Sequence, residues 1–231
     1  MKNVIFDVDD TLYDLMEAFD KAHKELFADK TKEDCEDLFK RSRTYSDEAF
    51  YMAREGKITH EEEFAYRIQK TYQDSGLDVS REEAKQFEER YRYHQKHIHL
   101  PEGIKKLLNL CKESGKTIGI LTNGTAKQQG QKLKTLGLDQ WFKEENMFIS
   151  DAIGFTKPNV KAFQTVQEKM NLNPEETWFV GDTFEVDVAG ARNAGWHVIW
   201  FNHRRRPMPE GDIKPDVEVR SVEELIDVII K

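Results

Sequence analysis

The chain has 231 residues, of which 34% are charged, and a formal net charge of −8 at pH 7. This acidic balance argues against nucleic acid or an anionic membrane surface as the main partner, because both require an excess of Lys and Arg. Cys35 and Cys111 are far apart and form no CxxC motif, so neither a disulfide framework nor a zinc knuckle is indicated. No apolar run is long enough for a secretion signal or a membrane span, which predicts a cytoplasmic protein.

An apolar run, Val4 to Phe6, leads directly into the acidic segment Asp7-Val8-Asp9-Asp10-Thr11. Such a run is typical of an inner strand of an open α/β sheet, whose ligands bind outside the carboxyl ends of the strands. Asp7 and Asp9 are two residues apart, so continued strand geometry puts both side chains on one face, where their repulsion requires a cation. We expect a hard divalent metal there, Mg²⁺. An Asp-rich turn after a strand is the alternative interpretation.

Residues 15–97 differ in character from the rest of the chain. Charge is dense, proline is absent and apolar residues recur at helical spacing. Ser80 with Glu83 has the capping-box pattern that begins a helix, and Thr59 with Glu62 has the same pattern. The segment is therefore predicted to be an all-helical insertion of domain size. Because both junctions lie near the acidic segment, we interpret the insertion as a lid that excludes water and recognises the substrate.

From Pro101 onward, short apolar runs alternate with helical patterns. The predicted strands are residues 117–121, 147–149, 177–180, 197–201 and 216–219. The predicted helices between and after them run from about Thr125 to Gly137, from Asn159 to Met170, from Glu185 to Ala194 and from Ser221 onward. Such alternation predicts an α/β fold, a Rossmann-like parallel sheet with right-handed crossovers and helices on both faces. The predicted domains are a discontinuous α/β core, residues 1–14 and 98–231, and a helical cap, residues 15–97.

Three further junctions between predicted elements carry polar groups. Thr122 and Asn123 follow the second strand and precede a helix, whose N-terminal N–H groups favour a phosphate. Lys157 lies just outside another helix start, and Asp182 and Asp187 follow the strand at residues 177–180. Taken singly, these residues can be helix caps, a loop charge and partners of a helix dipole. As an ordered set at strand ends, they match the components of an active site.

The ordered set resembles the motifs of the haloacid dehalogenase superfamily of phosphohydrolases. The matching motifs, in order, are Asp7-Val8-Asp9-Asp10-Thr11, Thr122-Asn123, Lys157-Pro158, and Gly181-Asp182 with Asp187. The resemblance covers the entire predicted α/β domain. Asp10 stands where many members have Gly, a departure expected to affect the turn more than the chemistry. The helical insertion resembles the C1-type cap of this family and is expected to select the substrate.

The resemblance implies a Mg²⁺-dependent phosphatase that forms an aspartyl-phosphate intermediate. Asp7 is the implied nucleophile, while Asp9 protonates the leaving alcohol and then activates water. The implied ligands of Mg²⁺ are Asp7, the main-chain carbonyl of Asp9 and Asp182, with Asp187 orienting the site from close by. The groups implied to hold the phosphoryl oxygens are Thr122, Asn123 and Lys157.

The expected substrate is a small phosphorylated metabolite. The segment Trp200 to Arg206 with residues 209–211 is similar to family members that act as nucleoside 5′-monophosphatases, and a sugar-phosphate or phosphoglycolate phosphatase is the alternative. Metal-independent haloacid dehalogenases lack an acid two residues after the nucleophile, so Asp9 and Asp182 favour attack on phosphorus. A non-enzymatic binding protein has no need for the complete set. We interpret residues 204–206 as a solvated turn. The sequence does not indicate the oligomeric state.

Overall fold

The structure, a computed structural model, describes residues 1–59 and 61–231, except the side chains of residues 47 and 50. The chain divides into two compact units. One contains Met1–Asp14 and His99–Lys231, and the other is Leu15–Ile98. The sequence analysis placed the second junction between residues 97 and 98, one residue earlier than this division.

Within the described residues, six strands of the first unit form one sheet in the order β3-β2-β1-β4-β5-β6, and every pairing is parallel. The strands are β1 (Asn3–Phe6), β2 (Thr117–Thr122), β3 (Met147–Ile149), β4 (Thr177–Gly181), β5 (His197–Phe201) and β6 (Val217–Val219). All four residues of β1 are buried because this strand lies between β2 and β4. The strand order reverses at β1, and open α/β sheets bind ligands at such a point. The predicted fold class is confirmed.

The second unit contains four helices among its described residues: α1 (Met16–Leu26), α2 (Cys35–Arg54), α3 (Glu62–Gln73) and α4 (Arg81–Gln95). Its buried aromatic rings include Phe19, Phe27, Phe39, Tyr72 and Phe87. The ring centroids of Phe27 and Tyr72 are 4.7 Å apart in an edge-to-face contact, which adds to the stabilisation from apolar burial. The predicted capping box is present, since Ser80 Oγ accepts the Glu83 N–H and the Glu83 carboxylate accepts the Ser80 N–H.

The helices of the first unit are α5 (Glu102–Glu113), α6 (Ala126–Thr135), α7 (Ser150–Ile153), α8 (Val160–Met170), α9 (Ala189–Asn193) and α10 (Val222–Ile230). The predicted helix over residues 185–194 differs from the structure, where a π-helical turn at Phe184–Val188 precedes α9. A local cause is the Asp187 carboxylate, which accepts the Thr183 N–H. Such turns are frequent at functional sites. None of the described helices is long and apolar enough to cross a bilayer.

Candidate active site

A buried lysine joins two carboxylates at the carboxyl edge of the sheet. Asp7 directly follows β1, Asp187 lies in the π-helical turn after β4, and Lys157 lies in the loop between α7 and α8. Lys157 Nζ is 2.7 Å from Asp7 Oδ1 and 2.7 Å from Asp187 Oδ1, and its side chain is 2% exposed. Each buried charge loses hydration, so the shared contact with a cation offsets the cost of burying both carboxylates.

Asp182, which directly follows β4, completes an acidic cluster with the other two aspartates. One carboxylate oxygen of each of Asp7, Asp182 and Asp187 lies within 4.8 Å of the others, and all three residues are buried. The Lys157 ammonium group contacts two members of the cluster, Asp7 and Asp187, whereas Asp182 pairs with Arg206. Burial and the neighbouring carboxylates raise the pKa of Asp7 to about 7, although Lys157 opposes the shift. For the same reasons the pKa of Asp182 lies well above its ordinary value.

The cluster therefore has the properties that a divalent cation requires. Its donors are carboxylate oxygens, which Mg²⁺ prefers over nitrogen or sulfur. A bound cation of charge two relieves the repulsion that raises the pKa values of Asp7 and Asp182. The residues of this site thus fit Mg²⁺.

Gly181 explains how Asp187 reaches this position. A Cβ atom at residue 181 overlaps the Asp187 carboxylate, so a side chain there excludes the observed arrangement. Gly181 ends β4 and immediately precedes Asp182. The predicted motif Gly181-Asp182 therefore has a steric basis, because the absence of a side chain at one residue makes room for the carboxylate of another.

Asp9 contacts a different set of groups. Its carboxylate accepts Lys132 Nζ at 2.6 and 2.7 Å, Gln129 Nε2 at 2.9 Å and Tyr13 Oη at 2.5 Å. Burial by itself raises the pKa of Asp9, but the Lys132 ion pair and the hydrogen bonds outweigh burial and hold this pKa below its ordinary value. The Asp9 carboxylate therefore pairs with Lys132 and is not a member of the acidic cluster of Asp7, Asp182 and Asp187. β1 ends at Phe6, before Asp7, so the continued strand geometry on which the expectation of a shared cation depended is not present.

Thr122 is the last residue of β2, and Asn123 directly follows it. Thr122 Oγ1 is buried and has no hydrogen-bond partner in the part of the chain that the structure describes. A buried hydroxyl left unpaired is costly, so this atom is suited to a ligand oxygen. Asn123 Nδ2 donates to the Lys157 carbonyl at 2.9 Å, and Asn123 Oδ1 accepts the Lys157 N–H at 2.9 Å. The Asn123 amide thus fixes the loop that carries Lys157, a contact that the sequence analysis did not anticipate.

The arginine run after β5 also reaches the site. Arg204 Nε and Nη2 each lie 2.5 Å from a carboxylate oxygen of Asp10, and Arg206 Nη1 lies 3.2 Å from Asp182 Oδ2. The prediction of a solvated turn is wrong for Arg204, whose side chain is 6% exposed, while Arg205 is exposed. Asp10 has a φ of 63°, in the region that favours glycine. Aspartate at residue 10, where many family members have glycine, therefore affects more than the turn, because the Asp10 carboxylate forms an ion pair with Arg204.

The acidic cluster and the buried lysine lie at the switch point of a parallel sheet, where α/β proteins bind their ligands. A divalent cation and a lysine are groups that enzymes of phosphoryl transfer use. The family follows from comparison with known proteins. Residues 1–195 match the family model described as haloacid dehalogenase-like hydrolase, and the chain belongs to this family. The predicted superfamily and the prediction of a hydrolase are confirmed.

Individual relatives resemble the chain over different extents. A protein of Methanopyrus kandleri named glyceraldehyde 3-phosphate phosphatase is 28% identical over 233 residues, which cover 99% of this chain and 97% of that protein. The pyrimidine 5′-nucleotidase YjjG of Escherichia coli is 38% identical over 131 residues, 56% of this chain and 56% of that protein. The crystal structure of the HAD-hydrolase YfnB of Bacillus subtilis bound to magnesium has a TM-score of 0.72 and 28% identity, and the match covers 99% of this chain and 98% of that one.

Proposed function

We propose that this protein is a Mg²⁺-dependent phosphatase that hydrolyses small phosphate monoesters in the cytoplasm through an aspartyl-phosphate intermediate at Asp7. The observation that carries the proposal is the buried cluster of Asp7, Asp182 and Asp187, in which Lys157 contacts Asp7 and Asp187. The cluster combines a carboxylate nucleophile with a fixed cation and a set of oxygen donors suited to Mg²⁺. The names of the relatives support the substrate class, since glyceraldehyde 3-phosphate and pyrimidine nucleotides are both phosphate monoesters.

In the first step, a carboxylate oxygen of Asp7 attacks phosphorus, and the bond between phosphorus and the leaving oxygen breaks. Asp9 gives a proton to that oxygen, so the substrate leaves as an alcohol. In the second step, Asp9 accepts a proton from water, which attacks phosphorus and releases inorganic phosphate from Asp7. Although burial raises the pKa of Asp9, the Lys132 ion pair and the hydrogen bonds lower it, which favours the ionised form that the second step requires.

Positive charge and hydrogen-bond donors stabilise the transferred phosphoryl group. Lys157 Nζ and the unpartnered Thr122 hydroxyl are the donors that we assign to its oxygens. Asn123 acts on the same oxygens indirectly, by fixing the main chain of Lys157. Asp7, Asp182 and the main-chain carbonyl of Asp9 are the groups that would hold Mg²⁺, which would supply further positive charge to the phosphoryl oxygens. Asp187 orients this set through Lys157.

We assign substrate selectivity to the helical unit, Leu15–Ile98. A nucleoside 5′-monophosphate is supported by the similarity to the Escherichia coli pyrimidine 5′-nucleotidase, which has the higher identity over about half of the chain. A three-carbon sugar phosphate is the second candidate. It is supported by the similarity to the Methanopyrus kandleri phosphatase, which extends over nearly the whole chain.

The test measures phosphate release from a panel of nucleoside monophosphates, sugar phosphates and phosphoglycolate, first with Mg²⁺ and then with excess chelator. We expect release that depends on Mg²⁺ and is restored when Mg²⁺ is added back. Release that is unaffected by the chelator contradicts the role of the metal. If no member of the panel is hydrolysed while chloride is released from a 2-haloacid, attack is on carbon and the phosphatase assignment is wrong.

A further inference from the structure

Two residues of α6 extend towards Asp9 from a distant part of the sequence. Helix α6 begins directly after β2, with Thr125 as its N-cap. Gln129 and Lys132 are three residues apart and therefore share one face of the helix. Gln129 is buried, and the Lys132 side chain is 16% exposed. Neither Gln129 nor Lys132 is among the motif residues assigned above.

The contacts of these residues fix both oxygens of the Asp9 carboxylate. Lys132 Nζ lies 2.6 Å from Asp9 Oδ1 and 2.7 Å from Oδ2, so the ammonium group is shared between them. Gln129 Nε2 donates to Asp9 Oδ2 and to the Asn123 carbonyl, at 2.9 Å in each case. Tyr13 Oη also donates to Asp9 Oδ1. With donors on both oxygens, rotation of the carboxylate breaks at least one short contact.

The Lys132 ammonium group forms an ion pair with the Asp9 carboxylate. Among the residues that the structure describes, Asp9 is the carboxylate recorded within 4.0 Å of Lys132 Nζ. Lys157 Nζ, in contrast, contacts Asp7 and Asp187. Asp7 and Asp9, both in the first motif, therefore have different lysine partners, Lys157 for Asp7 and Lys132 for Asp9.

We infer that Lys132 and Gln129 are positioning residues that hold the Asp9 carboxylate in the orientation needed for proton transfer to the leaving oxygen. The inference rests on the proposed phosphatase function, and it assigns neither residue a contact with the phosphoryl group. It predicts that loss of Lys132 impairs the step in which the leaving oxygen receives a proton, and that phosphate binding is retained.

The test compares two leaving groups in the Mg²⁺-loaded enzyme. An alkyl phosphate requires a proton on its leaving oxygen, whereas p-nitrophenolate leaves without one. We measure kcat/KM because it reports steps up to formation of the phosphoenzyme, whichever later step limits turnover. Lys132→Met is expected to reduce kcat/KM for the alkyl phosphate at least about tenfold more than for p-nitrophenyl phosphate, since general acid catalysis contributes about 10²–10⁴-fold. Lys132→Arg is expected to restore part of the loss.

Controls separate this role from a structural one. Lys134 is exposed on the same helix, and Lys134→Met is expected to leave both kcat/KM values unchanged. The affinity for vanadate, measured by competitive inhibition, is expected to stay within about twofold in Lys132→Met. Equal losses on the two substrates, no loss at all, or a tenfold weaker affinity for vanadate overturns the inference and leaves the phosphatase assignment intact. A wild-type enzyme that hydrolyses neither substrate overturns both.

Discussion

Replacing Arg204 with Met is expected to destabilise the α/β unit severely. Arg204 binds both oxygens of Asp10, and its Nη2 also lies 2.6 Å from Asp14 Oδ1. The side chains of Arg204 and Asp10 are 6% and 5% exposed. Methionine fills much of the same volume but leaves the Asp10 carboxylate buried without its guanidinium partner. Removal of one member of a buried ion pair costs about 3–5 kcal/mol in the free energy of unfolding.

The assay is urea unfolding followed by tryptophan fluorescence. All four tryptophans belong to the α/β unit, so the signal reports this unit and not the helical one. With a urea slope of about 1–3 kcal/mol/M, the expected loss lowers the unfolding midpoint by at least about 1 M. Arg205→Met is the matched control, because Arg205 is exposed and its backbone has a φ of 53° that the substitution leaves in place.

A double variant separates charge from packing. Asp10→Gly removes the carboxylate that loses its Arg204 partner in Arg204→Met, and it relieves the positive φ of residue 10. The combination Asp10→Gly with Arg204→Met is therefore expected to unfold at a higher urea concentration than Arg204→Met alone. Equal midpoints for Arg204→Met and Arg205→Met refute the reasoning, and so does a double variant less stable than Arg204→Met.

Two further predictions follow from the acidic cluster. Gly181→Ala is expected to displace the Asp187 carboxylate and reduce phosphate release at least about tenfold, whereas Gly130→Ala, where a Cβ meets no neighbour, is expected to leave release unchanged. In chelator, Asp7 keeps a proton in the folded state up to about pH 7, while the unfolded chain loses it near pH 3.8. The stability that this proton contributes is present at low pH and lost as pH rises from about 4 to 7. Relative to Asp7→Asn, the wild-type unfolding free energy should therefore fall across this range, and parallel pH curves for the two proteins count against it.

Local patterns were sufficient to predict most of the fold. The β1 segment is a continuous apolar run, and the structure buries all of it at the centre of the sheet. The N-caps Thr125, Asn159 and Ser221 precede helices that begin where the sequence pattern predicts them. The order of the strands could not be read from the alternation, because it depends on packing between distant segments. The π-helical turn was also missed, since it depends on the contacts of Asp187.

In the candidate site, too, the local features could be predicted from the sequence, whereas the contacts between distant residues could not. Its motif residues directly follow strands or precede helices, so their positions are local features of the sequence. Lys132 is 123 residues from Asp9, and in the sequence it resembles any charged residue on an exposed helix. Arg204 is 194 residues from Asp10 and lies in a basic run that is more often solvated. One feature of the sequence pointed to the ion pair of Arg204. Asp10 stands where many family members have glycine, and its charge requires a partner when it is buried.

The most direct test of the central claim is phosphate release by Asp7→Asn compared with wild type, at saturating Mg²⁺ and on the best substrate of the panel. Asparagine preserves the shape of the side chain but removes the nucleophilic carboxylate, and mass spectrometry verifies that the amide is intact. We expect a loss of at least about 10³-fold, with tryptophan fluorescence showing a folded α/β unit, because no other group supplies the nucleophile. Release close to the wild-type rate contradicts the assignment of Asp7 as the residue that accepts the phosphoryl group.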